Sequence, residues 1–257
     1  MNMIQQELEL AKSKQLQTVD YKNGKKLVCL TRDNVAIVEA MIQNDSAYRR
    51  STRVDAAPIY KKTKPEEKIY GGSSGYWLTR LKRILLENKT DEQYTYEGII
   101  RNSVEAVDRE NSTHLNADKK GRDVITKRLC AFDRAELLEC IKDPDKGMKL
   151  FNKLARRTSA EKGARTNPSF ASKFCHYACF FIFEGTEYQD NYSIYDDILK
   201  KVMPDYLDFY GFDPAAFDLS DYEQYRKAVD SVREASGLEV SRNGFDHLLW
   251  YYHKARL

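Results

Sequence analysis

The sequence predicts a mainly α-helical protein with one small strand element near its N-terminus. Two observations predict the helices. From residue 123 onward apolar residues recur three and four apart almost without interruption, and the breaks fall at DPDKG (143–147) and ARTNPS (164–169). A third observation limits the sheet: KKLVCLT (25–31) is the one segment that reads as a strand. No internal repeat is visible, and 257 residues suffice to bury a good core, as one domain or as two closely packed ones.

In chain order, residues 3–16 read as a short polar helix, KKLVCLT as the strand and NVAIVEAMIQ as a helix. From about 46 to 75 periodicity is lost among Pro58, Pro65, a lysine cluster and YGGSSG (70–75), so a long, partly mobile loop is expected. Its glycines lack the lysine of a P-loop and the spacing of a dinucleotide fingerprint, which makes a flexible linker the expected role. Trp77, Leu78, Leu81, Ile84 and Leu85 then mark a helix with basic residues among them. DVITKRLCAF, RAELLECI and KGMKLFNKLARRTSAEKGA follow as helices, and Pro168 opens another over SFASKFCHYACFFIF. After an irregular aromatic loop, EGTEYQDNY, Ser193 opens IYDDILKKVMPDYL. SDYEQYRKAVDSVREAS and RNGFDHLLWYYHKARL complete the chain. The expected division is a basic, loop-rich N-terminal region (1–122) and a helical domain (123–257) forming one bundle around a largely buried helix 168–183.

Charge and cysteines narrow the function classes. Residues 1–128 hold 24 basic and 18 acidic side chains, a net +6, and the remainder is −3. The excess is densest at YRRSTR (48–53), YKKTKPEEK (60–68) and WLTRLKR (77–83), which suits a polyanion footprint or an ordinary solvated surface. With no apolar run of eighteen residues and no apolar leader, neither a membrane span nor secretion is expected. Five cysteines (29, 130, 140, 175, 179), without CxxC or paired Cys/His spacing, point to a reducing cytoplasm and no metal; Cys175 and Cys179 read as small buried hydrophobes.

One residue stands out from the bundle. Lys173 heads a run so apolar (FCHYACFFIF) that the helix has no evident wet face. On a helical wheel Phe170, Phe174, Tyr177 and Phe181 form a stripe, with Lys173 on its shoulder near His176 and Phe180. Partial desolvation there would favour a neutral, nucleophilic amine; the bland alternative is a lysine snorkelling to solvent. Twenty-three positions later, Asp196 fits N3 of a capping box with Ser193 as N-cap. The helix dipole keeps such a carboxylate ionised, and an ionised carboxylate can also stabilise a developing sugar cation.

A helix bearing SKxxHY, a loop, then a helix opening with IYD resembles the 8-oxoguanine DNA glycosylase-like branch of the helix–hairpin–helix (HhH-GPD) glycosylase superfamily, bacterial type. The resemblance covers residues of about 120 to 257, including the closing RNGFDHLLWYYHKARL. It implies a helical bundle of that type, DNA (duplex or locally opened) as partner and no cofactor. It makes Lys173 the amine that attacks the anomeric carbon and Asp196 the assisting carboxylate. His176, Tyr177, Tyr188, Tyr192, Trp250 and Tyr251 become candidates to hold the extruded base, though each aromatic also reads as core and His176 as a satisfied core histidine. Arg80, Lys82 and Arg83, with Arg165, Thr166, Asn167 and Ser169 of the hairpin, become candidate phosphate contacts. The chain departs from the family in carrying ARTNPSF where a glycine-rich turn is usual, so ordinary phosphate anchoring, and 8-oxoguanine repair itself, do not follow directly. A modified phage base is one target the resemblance allows. The competing expectations are a non-catalytic nucleic-acid binder on the same fold and a helical protein-interaction module.

Overall fold

The computed structural model describes residues 16–44, 59–62, 68–71, 74–111, 113–115, 120–159, 166–237, 239 and 241–254, with backbone alone at 41–44, 59–62 and 68–71. It is mainly helical. In chain order the elements are β1 (Thr18–Asp20), β2 (Lys26–Val28), α1 (Arg32–Asn44), β3 (Ile59–Lys62), β4 (Lys68–Gly71), α2 (Ser74–Leu85), α3 (Tyr96–Asn111), α4 (Gly121–Cys130), α5 (Arg134–Lys142), α6 (Pro144–Ala155), α7 (Pro168–Ile182), α8 (Asp197–Phe209), α9 (Tyr222–Ser236) and α10 (Arg242–Lys254). The chain forms two compact units, one of Met1–Tyr48 with Ser193–Leu257 and one of Arg49–Tyr192.

The discontinuous unit joins the two ends of the chain. β1 and β2 pair antiparallel, Thr18 opposite Val28, and turn through Asn23 and Gly24, both at positive φ. α1 packs on α10, and α8 packs on α9 and α10. Polar ties fix these ends together. The buried Asn34 side chain donates to the carbonyls of Gln17 and Cys29 and accepts from the Gln17 amide, locking the start of α1 to the hairpin. Tyr206 of α8 receives the Val28 amide at 3.1 Å and lies 3.0 Å from His253 Nε2 on α10. At the hairpin turn Tyr21 donates to Asp208 at 2.5 Å; this bond, with the charge of Asp208, pushes the phenol up to about 12.

In the other unit α7 packs against α2, α3, α5 and α6, while α4 packs on α3 and α6. Trp77, Leu81, Ile100, Phe170, Phe174 and Ile182 are among its fully or almost fully buried side chains. The Glu110 carboxylate near the end of α3 receives the Ser74 amide with both oxygens at 3.1 Å, so the tail of one helix caps the start of another. Asp133 caps α5 and Asp143 caps α6, with Pro144 at the first helical position where a missing N–H is harmless.

Several expectations are corrected. The division does not fall at 122/123: α2 and α3 share a core with α4–α7, and residues from 193 onward pack with the N-terminal hairpin and α1 instead. Residues 123–257 are therefore not one bundle, although α7 is largely buried as expected. Within the expected 46–75 loop, β3 and β4 pair antiparallel, Ile59 opposite Gly71; the rest of that segment up to Ser73, like the polar helix 3–16, lies outside the described residues apart from Leu16. α6 stops at Ala155 because Arg156 takes extended angles (φ −60°, ψ 153°).

Gly147 has the least room for a side chain among the described glycines. A Cβ there would stand 1.7 Å from the Tyr192 hydroxyl and 2.6 Å from the Cys140 carbonyl oxygen. Gly147→Ala should cost about 1–3 kcal/mol by overpacking, read as a lower midpoint in chemical denaturation.

Candidate functional site

α7 presents one half-exposed stripe, Ser169, Lys173, Tyr177 and Phe180, against otherwise buried neighbours. The helix thus has a damp edge that its composition hides, and Lys173 stands on it. His176, one residue off that edge, is buried at 2 % exposure. Its Nδ1 lies 2.8 Å from the Tyr192 carbonyl oxygen, and its ring stacks on Phe180. The Tyr177 hydroxyl donates to Asn111 at 3.2 Å. Tyr192 is corrected from base platform to core: it is fully buried, donates to the Cys140 carbonyl and fills the space beside Gly147. Tyr188 is half-exposed in the loop, under the Lys142 ammonium at 4.3 Å from its ring centre.

Asp196 lies in the discontinuous unit, so the expected catalytic pair is divided between the units. It is the N-cap of α8, not N3. Its Oδ1 accepts from the amides of Ile198 and Leu199, each at 3.0 Å, which ties one oxygen to the helix start. The expected capping box is therefore corrected: α8 begins at Asp197, and the buried Ser193 hydroxyl has no partner among the described residues. The four residues Ser193–Asp196 are buried and belong to no helix or strand, Asp196 itself is extended (φ −129°, ψ 172°), and no strand pairs with them among the described residues. Side chains take the place of a strand. Tyr222 donates to the Ser193 carbonyl at 2.8 Å, Tyr225 donates to the Ile194 carbonyl at 3.0 Å, and Asp246 receives the Ile194 amide at 2.6 Å.

Trp250 and Tyr251 are half-exposed on the last two turns of α10, ring centres 4.8 Å apart. Lys254, one turn on, lies over the Trp250 face at 3.8 Å. Burial pulls its ammonium below the usual lysine range, and the Asp196 carboxylate pulls the other way. Asp196, Trp250 and Lys254 thus share one unit and one electrostatic neighbourhood.

The candidate phosphate contacts separate on inspection of their partners. Arg80 is withdrawn: its side chain is 19 % exposed, its guanidinium pairs with Asp91 at 2.5 Å, and it lies between the Tyr76 and Tyr94 rings, 4.9 Å from each. Lys82 is half-exposed and Arg83 exposed on the same helix, so both remain open to a ligand. Arg165 lies outside the described residues. Thr166 is exposed and Ser169 half-exposed. The Asn167 side chain does not cap α7 but donates to the Arg156 carbonyl at 3.1 Å. Arg128 donates to the carbonyls of Arg156 and Arg157, which fastens the same end of the hairpin. No group of acidic, histidine or cysteine side chains among the described residues could hold a metal ion.

Sequence reasoning missed Tyr222, Tyr225, Asp246 and Lys254. The signal for Asp246 was present, a lone acid within FDHLLW, the same kind of oddity that drew attention to Lys173. Among the described residues no helix is long and apolar enough to cross a membrane. No family model, curated protein or solved structure matches the chain.

Two outcomes follow from these contacts. Burial opposes ionisation of Asp91, yet the amides of Gln93 and Tyr94 and the Arg80 guanidinium hold its carboxyl below the usual range. A depressed folded value gives stability above the unfolded pKa that is lost as pH falls through the folded one. Arg80→Ala should therefore cost about 1.5–3 kcal/mol at pH 7, with a smaller penalty once Asp91 is protonated, measured by denaturation at several pH values. At the start of α8, Asp196→Ala should cost about 0.5–2 kcal/mol as a lost cap, whereas Ser193→Ala should be neutral or slightly stabilising because it removes a buried hydroxyl without a partner. A capping box would give both substitutions a penalty.

Proposed function

We propose that the protein is a DNA glycosylase/lyase-like enzyme that removes a damaged or modified base. The observation that carries this reading is Asp196: a carboxylate only 8 % exposed, with one oxygen fixed by two backbone amides and the other making no hydrogen bond among the described residues. A carboxylate so held is preorganised to face positive charge that develops in a transition state. Lys173, on the half-exposed edge of an apolar helix, supports the reading as the amine.

In this mechanism the target nucleotide leaves the stack, at a cost of roughly a few kcal/mol, and its base rests against Trp250 and Tyr251. The C1′–N bond breaks with its electron pair going to the base, which takes up a proton. Asp196 stabilises the oxocarbenium-like sugar. The Lys173 amine forms the new C1′–N bond and loses a proton; the C1′–O4′ bond then breaks, O4′ takes up a proton, and the opened sugar is held as a protonated Schiff base. This acidifies C2′, so that loss of the C2′ proton breaks the C3′–O bond and expels the 3′ phosphate. Lys82 and Arg83 contribute to holding the DNA backbone.

A second reading, a nucleic-acid binder without the reaction, is favoured by Pro168, which removes an amide from the start of α7, and by the Asn167 side chain, which is engaged with the hairpin itself. Borohydride trapping across damaged and modified duplexes separates the two. Wild type should give a covalent adduct on at least one duplex, and Lys173→Ala and Lys173→Gln should abolish it while the fold persists. Asp196→Asn retains a good cap but loses the charge, and should slow base release by roughly 10²-fold. A Lys173→Ala protein that still traps, or a wild type that traps on no duplex, would sink the enzymatic reading.

A further inference from the structure

The segment that delivers Asp196 is held by more than packing requires. Phenylalanine would fill the volumes of Tyr222 and Tyr225, which are buried and stacked on each other at 6.4 Å, with Tyr195 packed edge-on to both. Their hydroxyls instead donate to the carbonyls of Ser193 and Ile194, and Asp246 from α10 takes the amide of Ile194. The Tyr195 hydroxyl donates to the carbonyls of Leu219 and Ser220, each at 2.9 Å, which ties the same segment to the turn before α9. Backbone groups of two consecutive residues, Ser193 and Ile194, are thus fixed from two helices, with only Tyr195 between them and the residue whose carboxylate caps α8.

We propose that Tyr225, together with Tyr222 and Asp246, positions Asp196 for its work in the glycosylase reading on which this inference rests. The coupling is mechanical. The Tyr225 bond fixes the Ile194 carbonyl two residues upstream of Asp196, while the Asp246 bond fixes the amide of the same residue. With Ile194 held on both sides and Ile198 and Leu199 held by the cap, the Asp196 carboxylate has little freedom to swing. Loss of one tie leaves a buried carbonyl without its donor, and the segment relaxes toward another partner. A displacement on the order of 1 Å at a reacting group costs up to about 10²-fold in rate.

Tyr225→Phe is the test, with Tyr222→Phe as a second variant in case the first does not fold. Hydrogen exchange of the Ile198 and Leu199 amides reads the Asp196 cap, and exchange at Val202 and Met203 reads the body of α8. Base release from a duplex carrying a single modified base that wild type processes reads the reaction. Borohydride trapping on a duplex with one abasic site reads Lys173 alone. The expected result is a rise of about fivefold in exchange at Ile198 and Leu199, as for loss of about one hydrogen bond, with Val202 and Met203 unchanged. Base release should slow by about tenfold at unchanged KM, with abasic trapping intact. A uniform rise in exchange along α8, or slower base release without selective loosening of the cap, would overturn the positioning role. Should wild type neither release a base nor trap on any duplex, selective loosening of the two amides would still support positioning, and the glycosylase reading alone would fall.

Discussion

Burying Ser193–Asp196 without a partner strand commits much of the discontinuous unit to one task. Backbone amides and carbonyls removed from water must find partners, and an isolated extended segment has none of its own. Tyr222 and Tyr225 of α9 and Asp246 of α10 supply them, so both helices must pack where their side chains reach residues 193 and 194. Asp246 is 1 % exposed, and Tyr225 pays for its burial with a phenol pushed well above its usual range, first by desolvation and then by the charges of Asp246 and Asp196. The Tyr225 phenol therefore remains a donor to the Ile194 carbonyl. The same segment ends in Asp196, whose cap starts α8, and α8 in turn carries Tyr206, which ties β2 to α10. The cap and the clamp therefore form one continuous polar frame through an apolar unit.

The helices were legible where burial is one-sided and apolar. α8 and α9 show their faces in the sequence because their inward positions are almost all Leu, Val, Ala or Tyr, and α7 shows itself as an apolar run whose buried residues are mostly Phe, Ala, Cys and Ile. α3 was not legible for the opposite reason. Its buried face includes Asn102, Ser103 and Asp108, and Asp108 is satisfied by Thr113, the Leu115 amide and Arg122 in the following segment. Inward polar residues erase the periodicity that marks a helix. The discontinuous unit was hidden too, because the contact of α1 with α10 joins residues about two hundred positions apart and leaves no trace in local pattern.

At the candidate site the sequence showed residue types but not partners. Lys173 was noticed because a lysine in an apolar run is costly, and the structure gives it the half-exposed edge that relieves the cost. Arg80 was misread because its partner, Asp91, lies beyond the end of the helix, where no helical spacing rule reaches. Ser193 was read as the cap in place of Asp196 because S-x-x-D reads as a capping box whenever a helix follows. Which residue caps depends on where the helix begins, and the backbone of Ser193 and Ile194 is instead held by side chains of α9 and α10. Tyr192 looked like a loop aromatic, yet the missing side chain at Gly147 makes the space that buries it.

The distribution of charge follows the fold more closely than it follows the two halves of the sequence. The unit Arg49–Tyr192 carries 28 basic and 21 acidic side chains, net +7, and the discontinuous unit carries 14 and 18, net −4. Raw charge nevertheless overstates what the first of these can offer to a polyanion. Arg80 is held by Asp91, Arg122 by Asp108, and Arg128 by two backbone carbonyls. Those guanidiniums already hold partners within the unit, part-buried for Arg80 and Arg122 and exposed for Arg128, and moving them to a phosphate would give up those hydrogen bonds. The cations open to a ligand are instead exposed ones such as Arg83, Arg156 and Arg157. A polyanion would meet mobile side chains on a unit whose internal arginines already hold it in shape, which gives an interaction sensitive to salt and weak in sequence preference. In the proposed enzyme, selectivity would then rest on the extruded nucleotide and the groups around Asp196.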